Sequence, residues 1–344
     1  HVPRLPAGVS PLPPVAGAGG PARRLFAAGP EKVIAVPLDR SAEAKHAAPE
    51  LFTHASDWAD GFVAVGPTAV ALYGAARDPV WVFRVPVTAP LAAGPLPYAV
   101  RGGGEPAAPP LSSFRLAGPW LLARLGEFHL IALDLGAKRV AWVVGATGRS
   151  GYEPFVLASG PRFRPHFAVS GTSVVAQLSD GRRWFVKLAT GRPAPQPALG
   201  ESTARVSWPH APAEVGGDLL ALADGPGVVR VVQLGGRVRW CFEVEHAEGL
   251  FGAPPEVRRF GDGLFVAVRR NHGVELECLD PADGRPLWEP AFIDADRVDL
   301  SAADADADHL YVPHGNALTA LALADGKPAW TAKLPDARGG GWAA

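Results

Sequence analysis

The chain has 344 residues, with 33 Lys plus Arg against 34 Asp plus Glu and a formal net charge of −1. A near-neutral chain without a basic block carries no electrostatic footprint for nucleic acid, and a hydrophobic content of 48% lies outside the range of disordered sequences. No uncharged apolar run reaches the ~20 residues of a membrane helix, so no membrane insertion is expected within the chain; 40 Gly and 36 Pro argue for short strands and tight turns over helices.

In chain order, residues 1–24 are rich in Pro, Gly and Ala and close on Arg23-Arg24. They read as a tether, and a start at His1 without Met places any signal peptide or membrane anchor upstream. Residues 25–335 read as one domain of repeated units. The stretch Lys32 to Leu38 is a strand, but its surroundings are too short for a whole unit of the 40-odd residues seen later. Asp60 to Val85 is the first full unit and ends at Trp81, after which residues 86–115 form a Pro/Gly/Ala-rich loop insertion. Leu116 to Val144 follows, with Trp142. Phe167 to Pro197 keeps a turn at Gly191 but has Pro195 where a Trp is expected. Glu214 to Val244 carries Gly236 and Trp240, Val257 to Phe292 carries Gly284 and Trp288, and Val298 to Leu334 carries Gly326 and Trp330. Residues 336–344 form a Gly-rich tail that is expected to fray.

The last unit shows the internal pattern best: four extended stretches separated by Asp304–Asp308, His314-Gly315-Asn316 and Ala324-Asp325-Gly326-Lys327. Strands of ~5–7 residues joined by Gly/Asp/Asn turns are a β-meander. The closing positions recur at intervals of 61, 53, 45, 48 and 42 residues, counting Pro195. Repeats of ~40–50 residues with four strands each fit the blades of a β-propeller. A single meander leaves two apolar faces exposed, and stacking it against equivalent units covers both. The expected fold is therefore all-β, a propeller of four-stranded antiparallel blades, seven in number with six to eight allowed. The Trp residues supply apolar area between neighbours, and the preceding glycines permit positive φ.

The segments Ala320-Leu321-Ala322-Leu323-Ala324-Asp325-Gly326-Lys327-Pro328-Ala329-Trp330 and Leu279-Asp280-Pro281-Ala282-Asp283-Gly284-Arg285-Pro286-Leu287-Trp288 resemble the tryptophan-docking repeat of the PQQ-like, quinoprotein-type β-propellers. Ile131-Ala132-Leu133-Asp134 followed by Trp142 is a looser copy. The resemblance spans about residues 58–334. The catalytic branch of that family implies a vicinal Cys-Cys pair and acidic calcium ligands, and this sequence has no adjacent cysteines. The non-catalytic, BamB-like branch implies a propeller of this length without a cofactor.

Other chemistry is sparse. Asp304-x-Asp306-x-Asp308 opens like a calcium loop, but the sixth and twelfth places hold His309 and Gly315 where that loop needs Gly and Glu. In the repeat register these aspartates form a turn. Ala168-Val169-Ser170-Gly171 is a strand-to-turn step rather than a nucleophile elbow, and Gly102-Gly103-Gly104 lacks the Lys-Ser/Thr of a phosphate loop. The histidines share no metal spacing; His309 and His314 flank one strand on opposite faces. Cys241 and Cys278 read either as two small hydrophobes or as one disulfide between adjacent units. The pairs Arg23-Arg24, Arg182-Arg183, Arg258-Arg259 and Arg269-Arg270 sit at strand ends, read as solvated rims or as a groove for an acidic peptide. With 27 Arg, 6 Lys and 2 Asn, Arg abundance reflects a GC-rich, bacterial coding sequence more than anion recognition.

No catalytic, cofactor or metal residue is nominated. The expected function is a non-enzymatic scaffold for protein–protein contacts, extracytoplasmic in the periplasm or envelope, with loops such as 86–115 carrying the partner. Two alternatives stand beside it: an enzyme using the central channel (a quinone-dependent oxidoreductase, lyase or hydrolase), and a sensor domain of a membrane-anchored kinase.

Overall fold

The computed structural model describes residues 10–12, 15, 24–29, 32–37, 44–48, 51–85, 109–146, 162–179, 183–195, 212–223, 227–234, 237–244, 255–296, 298, 300 and 303–333. The fold is an all-β propeller, and every strand pairing described is antiparallel. Seven sheets occur among the described residues, each a meander in which consecutive strands are neighbours.

The first sheet holds β1 (Ser10–Leu12), β2 (Arg24–Gly29), β3 (Lys32–Pro37) and β4 (Ala44–Ala47). The second holds β5 (His54–Trp58), β6 (Gly61–Val65), β7 (Ala69–Tyr73) and β8 (Trp81–Arg84). The third holds β9 (Leu111–Ala117), β10 (Trp120–Leu125), β11 (His129–Asp134) and β12 (Arg139–Gly145). The fourth has three strands, β13 (Phe163–Ser170), β14 (Ser173–Leu178) and β15 (Arg183–Lys187). The fifth holds β16 (Ala213–Gly216), β17 (Leu219–Ala223), β18 (Val228–Gln233) and β19 (Val238–Glu243). The sixth holds β20 (Glu256–Phe260), β21 (Gly263–Arg270), β22 (Gly273–Leu279) and β23 (Ala291–Ile293). The seventh holds β24 (Asp304–Ala305), β25 (His309–His314), β26 (Ala317–Ala322) and β27 (Pro328–Lys333).

Three expectations change. The N-terminal stretch read as a tether contributes a strand: Ser10↔Ala28, Pro11↔Ala27 and Leu12↔Phe26 pair β1 to β2, and Val15 is buried with its amide on Ser56 Oγ at 2.7 Å. The first sheet is thus complete within residues 10–47, because its first strand lies inside the stretch read as a tether. The segment read as a loop insertion ends in β9, whose Leu111 is buried; residues 86–108 lie outside the described residues. In the fourth sheet no fourth strand occurs among the described residues. Pro193 and Pro195 occupy the stretch where it would start, and proline has no amide hydrogen to donate to a ladder. The tail 336–344 lies outside the described residues.

The chain divides into two compact units, residues 1–165 with 187–193, and residues 166–186 with 194–344. In the first unit, alternation along β6 and β7 sends Phe62, Ala64, Ala69, Ala71 and Tyr73 into one core with Phe26, Val33 and Ala35 of the first sheet. It sends Val63, Val65, Val70 and Leu72 into another core with Leu121, Ala123, Ile131 and Leu133 of the third. Both faces of the second sheet are covered, which is why β6 and β7 are buried at every position. The second unit repeats the arrangement. Leu264, Val266 and Val268 of β21 pack with Val229 and Val231 of the fifth sheet, while Phe265 and Ala267 pack with Leu310 and Val312 of the seventh. Each such contact removes several aliphatic side chains from water at roughly 1.5–3 kcal/mol apiece, which a lone meander forgoes.

Candidate functional site

The recurring chemistry of this chain lies where one sheet meets the next. In the third, fifth and seventh sheets the outer strand carries a bulge one residue before its tryptophan. Leu133 pairs Val140 but Ala132 pairs Trp142; Val232 pairs Val238 but Val231 pairs Trp240; Leu321 pairs Pro328 but Ala320 pairs Trp330. The extra residue bends the strand and re-aims the indole. Trp142 is 4% exposed and donates from Nε1 to Leu188 O at 2.6 Å. Trp240 donates to Pro281 O at 3.0 Å. Each acceptor lies three residues before a glycine in the neighbouring sheet's outer turn, Gly191 and Gly284.

Those glycines are floors for the indoles. Gly191 (φ 63°) and Gly284 (φ 78°) take left-handed backbone, and a Cβ on either would stand 2.8 Å from Trp142 Cγ or 2.6 Å from Trp240 Cε3. Gly326 (φ 72°) does the same under Trp288, where a Cβ would stand 2.6 Å from Cζ3. The turns share a hydrogen-bond plan in which Gly191, Gly284 and Gly326 return their amides to Lys187, Asp280 and Ala322 carbonyls at 2.8, 2.8 and 2.9 Å.

The remaining positions vary. Trp288 is buried but precedes β23, and its Nε1 reaches no oxygen; the indole faces the Cys278 thiol. Trp81 packs on the core that contains Leu133 and Leu135, with no bulge before it. Trp330 is 45% exposed beside Tyr311, ring centroids 6.0 Å apart. Gly236 lies outside the described residues. In the third sheet the place four residues before Trp142 belongs to Lys138, which holds φ 54° without being glycine.

A second set of links, made from the first or second strands of the sheets, escaped the sequence reading. Arg24 Nη1 donates to Gly61 O at 3.0 Å and pairs with Asp57 at 3.1 Å. Trp58 Nε1 donates to Gly118 O at 3.3 Å, and Arg124 Nη1 to Phe163 O at 3.2 Å. Ser170 Oγ donates to Leu219 O at 3.1 Å, and Glu214 Oε1 accepts the Val169 amide at 2.8 Å. Arg258 Nη1 donates to Leu300 O at 3.1 Å, and Arg259 Nη1 to Val215 O. Arg24 and Arg258 are half-buried ties whose guanidiniums satisfy main-chain carbonyls of adjoining sheets, whereas Arg259 and Arg269 are exposed, as the rim reading expects. Arg270 pairs with Glu275 on its own hairpin, while Arg23 and Arg182 lie outside the described residues. The signal available was positional, a polar or aromatic residue on the first or second strand. Its residue type changes from sheet to sheet, so no motif marks it.

The other candidates resolve simply. Asp306 accepts the Asp308 and His309 amides at 2.8 and 2.7 Å and the Tyr311 hydroxyl at 2.6 Å, and those bonds, the hydroxyl's first, hold its carboxyl down at about 2. It closes a turn, as the repeat register implied. Among the described residues no three His, Cys, Asp or Glu side chains are gathered as a metal would need. Cys241 is exposed and Cys278 buried, and they are not bonded; burial pushes the Cys278 thiol up to about 12. His129 is 7% exposed with Nδ1 unpartnered, and burial lowers it to about 4. His314 Nε2 meets Thr319 Oγ1 at 2.8 Å.

Residues 170–341 match the family described as the outer membrane protein assembly factor BamB. Among curated proteins, none matches the chain. Among solved structures, the computationally designed Ika8 protein aligns with a TM-score of 0.58 at 8% identity, over 94% of this chain and 88% of that one. The C-terminal WD40 domain of Sif2 aligns at 0.53 and 11% identity, over 92% and 83%. BamB from Moraxella catarrhalis aligns at 0.49 and 15% identity, over 81% and 75%. At such identities the first two likenesses speak for the fold alone.

Proposed function

We propose that this chain, which belongs to the family of the outer membrane protein assembly factor BamB, is a non-enzymatic platform that holds other proteins of the cell envelope, outside the cytoplasm. The observation that carries the reading is the family match over residues 170–341, the half of the chain where the Trp-Gly docking repeat is strictest. The structure adds a physical reason. Sheets joined through buried indoles and main-chain carbonyls form a stiff support, and stiff supports bind through the loops between strands, where sequence is free to vary. Residues 86–108 are the first segment to examine, followed by residues 147–161 and 196–211. We further propose that residues 25–335, with β1 and the buried Val15 added at the N-terminal end, act as one domain.

The test is site-specific photocrosslinking in the native host, with the reactive group placed in turn within residues 86–108, 147–161 and 196–211, together with fractionation of the full-length gene product. A defined envelope protein captured from one loop, and recovery in the envelope fraction, support the reading. Recovery with the cytosol overturns the location. Turnover of a small substrate by the purified chain, with no protein captured from any loop, overturns the platform.

A further inference from the structure

The first sheet contains no tryptophan, yet it is joined to the second. The residue that makes the join is a histidine. His46 on β4 is 5% exposed, and its ring stands edge-on against Phe62 and Tyr73, with centroids 4.9 and 5.4 Å away. Its Nδ1 lies 3.0 Å from Ala76 O, in the connection between the third and fourth strands of the second sheet. Leu188 and Pro281, which accept Trp142 and Trp240, likewise follow the third strand of their sheets. A carbonyl oxygen only accepts, so Nδ1 carries the hydrogen and Nε2 is the nitrogen left to titrate. Two further bonds close around it: the Ala47 amide donates to Arg77 O at 3.0 Å, and the Tyr73 hydroxyl donates to Ala47 O at 2.7 Å.

We infer that His46 is the first sheet's docking residue, standing in for the tryptophan of later sheets, and that it makes this one junction openable by acid. Indole has no site to protonate near neutral pH; imidazole does. Around the ring, β2 presents Arg24, held by Asp57 of β5, and the second sheet presents Tyr73 and the turn bearing Arg77 and Asp78; Lys45 precedes it on β4. Burial, outweighing the bond to Ala76 and aided by Arg24, lowers the His46 pKa. The closed junction therefore holds neutral histidine. Its contribution is complete above the ordinary histidine value of ~6.5 and is lost as pH falls below it.

The experiment is native-state hydrogen exchange read by mass spectrometry on the whole chain, at about pH 7.5 and about pH 5.5, corrected for intrinsic exchange. Peptides spanning 44–48 and 72–80 should exchange faster at the lower pH, by up to about tenfold, while peptides from 309–322 should not change. His46→Gln keeps a donor but not a titrating group, and should abolish the acid increment. His46→Phe keeps the ring but not the bond, and should raise exchange of those peptides at the higher pH already. Equal corrected exchange at both pH values in the natural protein overturns the inference, as does the same acid increment in His46→Gln. Unchanged protection in His46→Phe at the higher pH removes the docking role itself.

Discussion

Replacing Gly326 by alanine isolates the energy of indole docking. The new methyl group has two costs. The first is the backbone: φ 72° is left-handed, which an L-residue adopts at roughly 1–2 kcal/mol. The second is steric: the Cβ would stand 2.6 Å from Trp288 Cζ3 and 2.7 Å from Cδ2, and a rigid, buried indole cannot turn aside as a long aliphatic chain could. Forcing one carbon into packed space typically costs a further ~1–3 kcal/mol, so Gly326→Ala should lose about 2–5 kcal/mol in all. Gly315→Ala is the internal control. It lies in the same sheet with φ 53°, nothing stands within 4 Å of its added Cβ, and it should lose only the ~1–2 kcal/mol of backbone cost. Urea unfolding followed by far-ultraviolet circular dichroism gives both losses. The same pair measured in a Trp288→Leu background should show the Gly326 loss falling to the Gly315 value. Equal losses for the two glycines in the natural background would refute the claim that these turns are shaped by the indoles resting on them.

Lys138→Gly should stabilise the protein by roughly 0.5–1 kcal/mol in the same assay, since it relieves a left-handed lysine at φ 54° at some cost in chain entropy; a loss of stability would show that the lysine side chain matters more than its backbone. His129 is neutral in the fold, with a pKa of about 4 against ~6.5 unfolded, so its site is intact above that value and weakens as pH falls; His129→Leu should therefore reduce the stability lost between neutrality and pH ~5 by about 2 kcal/mol, and an unchanged acid limb would refute it. A thiol reagent at neutral pH should modify one cysteine, Cys241, in the folded protein and reach Cys278, held near 12 by burial, only on unfolding; prompt reaction of both would contradict the buried placement.

The repeat was readable where its docking residue is tryptophan and its floor is glycine, because both residue types are rare enough at fixed spacing to stand out. It faded where the same physics uses other side chains. Lys138 takes the glycine's place by bearing strain, and a lysine in a turn draws no notice. The first sheet was read as a fragment because its first strand, with Pro11, lies in the proline-rich stretch that reads as a tether, and because its docking residue is His46. Leu111–Ala117 was hidden behind a proline-rich run whose composition says loop although its last residues are strand. Arg24 and Arg258 departed from the rim reading for a different reason. Charge at a strand end reads as solvated, and only coordinates reveal that the carbonyls of Gly61 and Leu300 lie within reach.

These misses share one cause. Across the junctions of both units the acceptor is usually a main-chain carbonyl: Leu188, Pro281, Ala76, Gly118, Phe163, Leu219 and Leu300. A carbonyl is supplied by any residue, so the receiving sheet imposes no side chain, and the donating sheet needs only an N–H or O–H of suitable reach. Indole, imidazole, guanidinium and hydroxyl all qualify and differ in how much apolar area they cover beside the bond. The joint thus tolerates wide change in its donor while keeping its geometry. The strict repeat of the last two sheets does not itself require the bond: Trp288 rests on Gly326 with Nε1 reaching no oxygen, and Trp330 is half exposed. Tolerance of the donor also means that it can bring a second property to its junction, as titratable His46 does to the first.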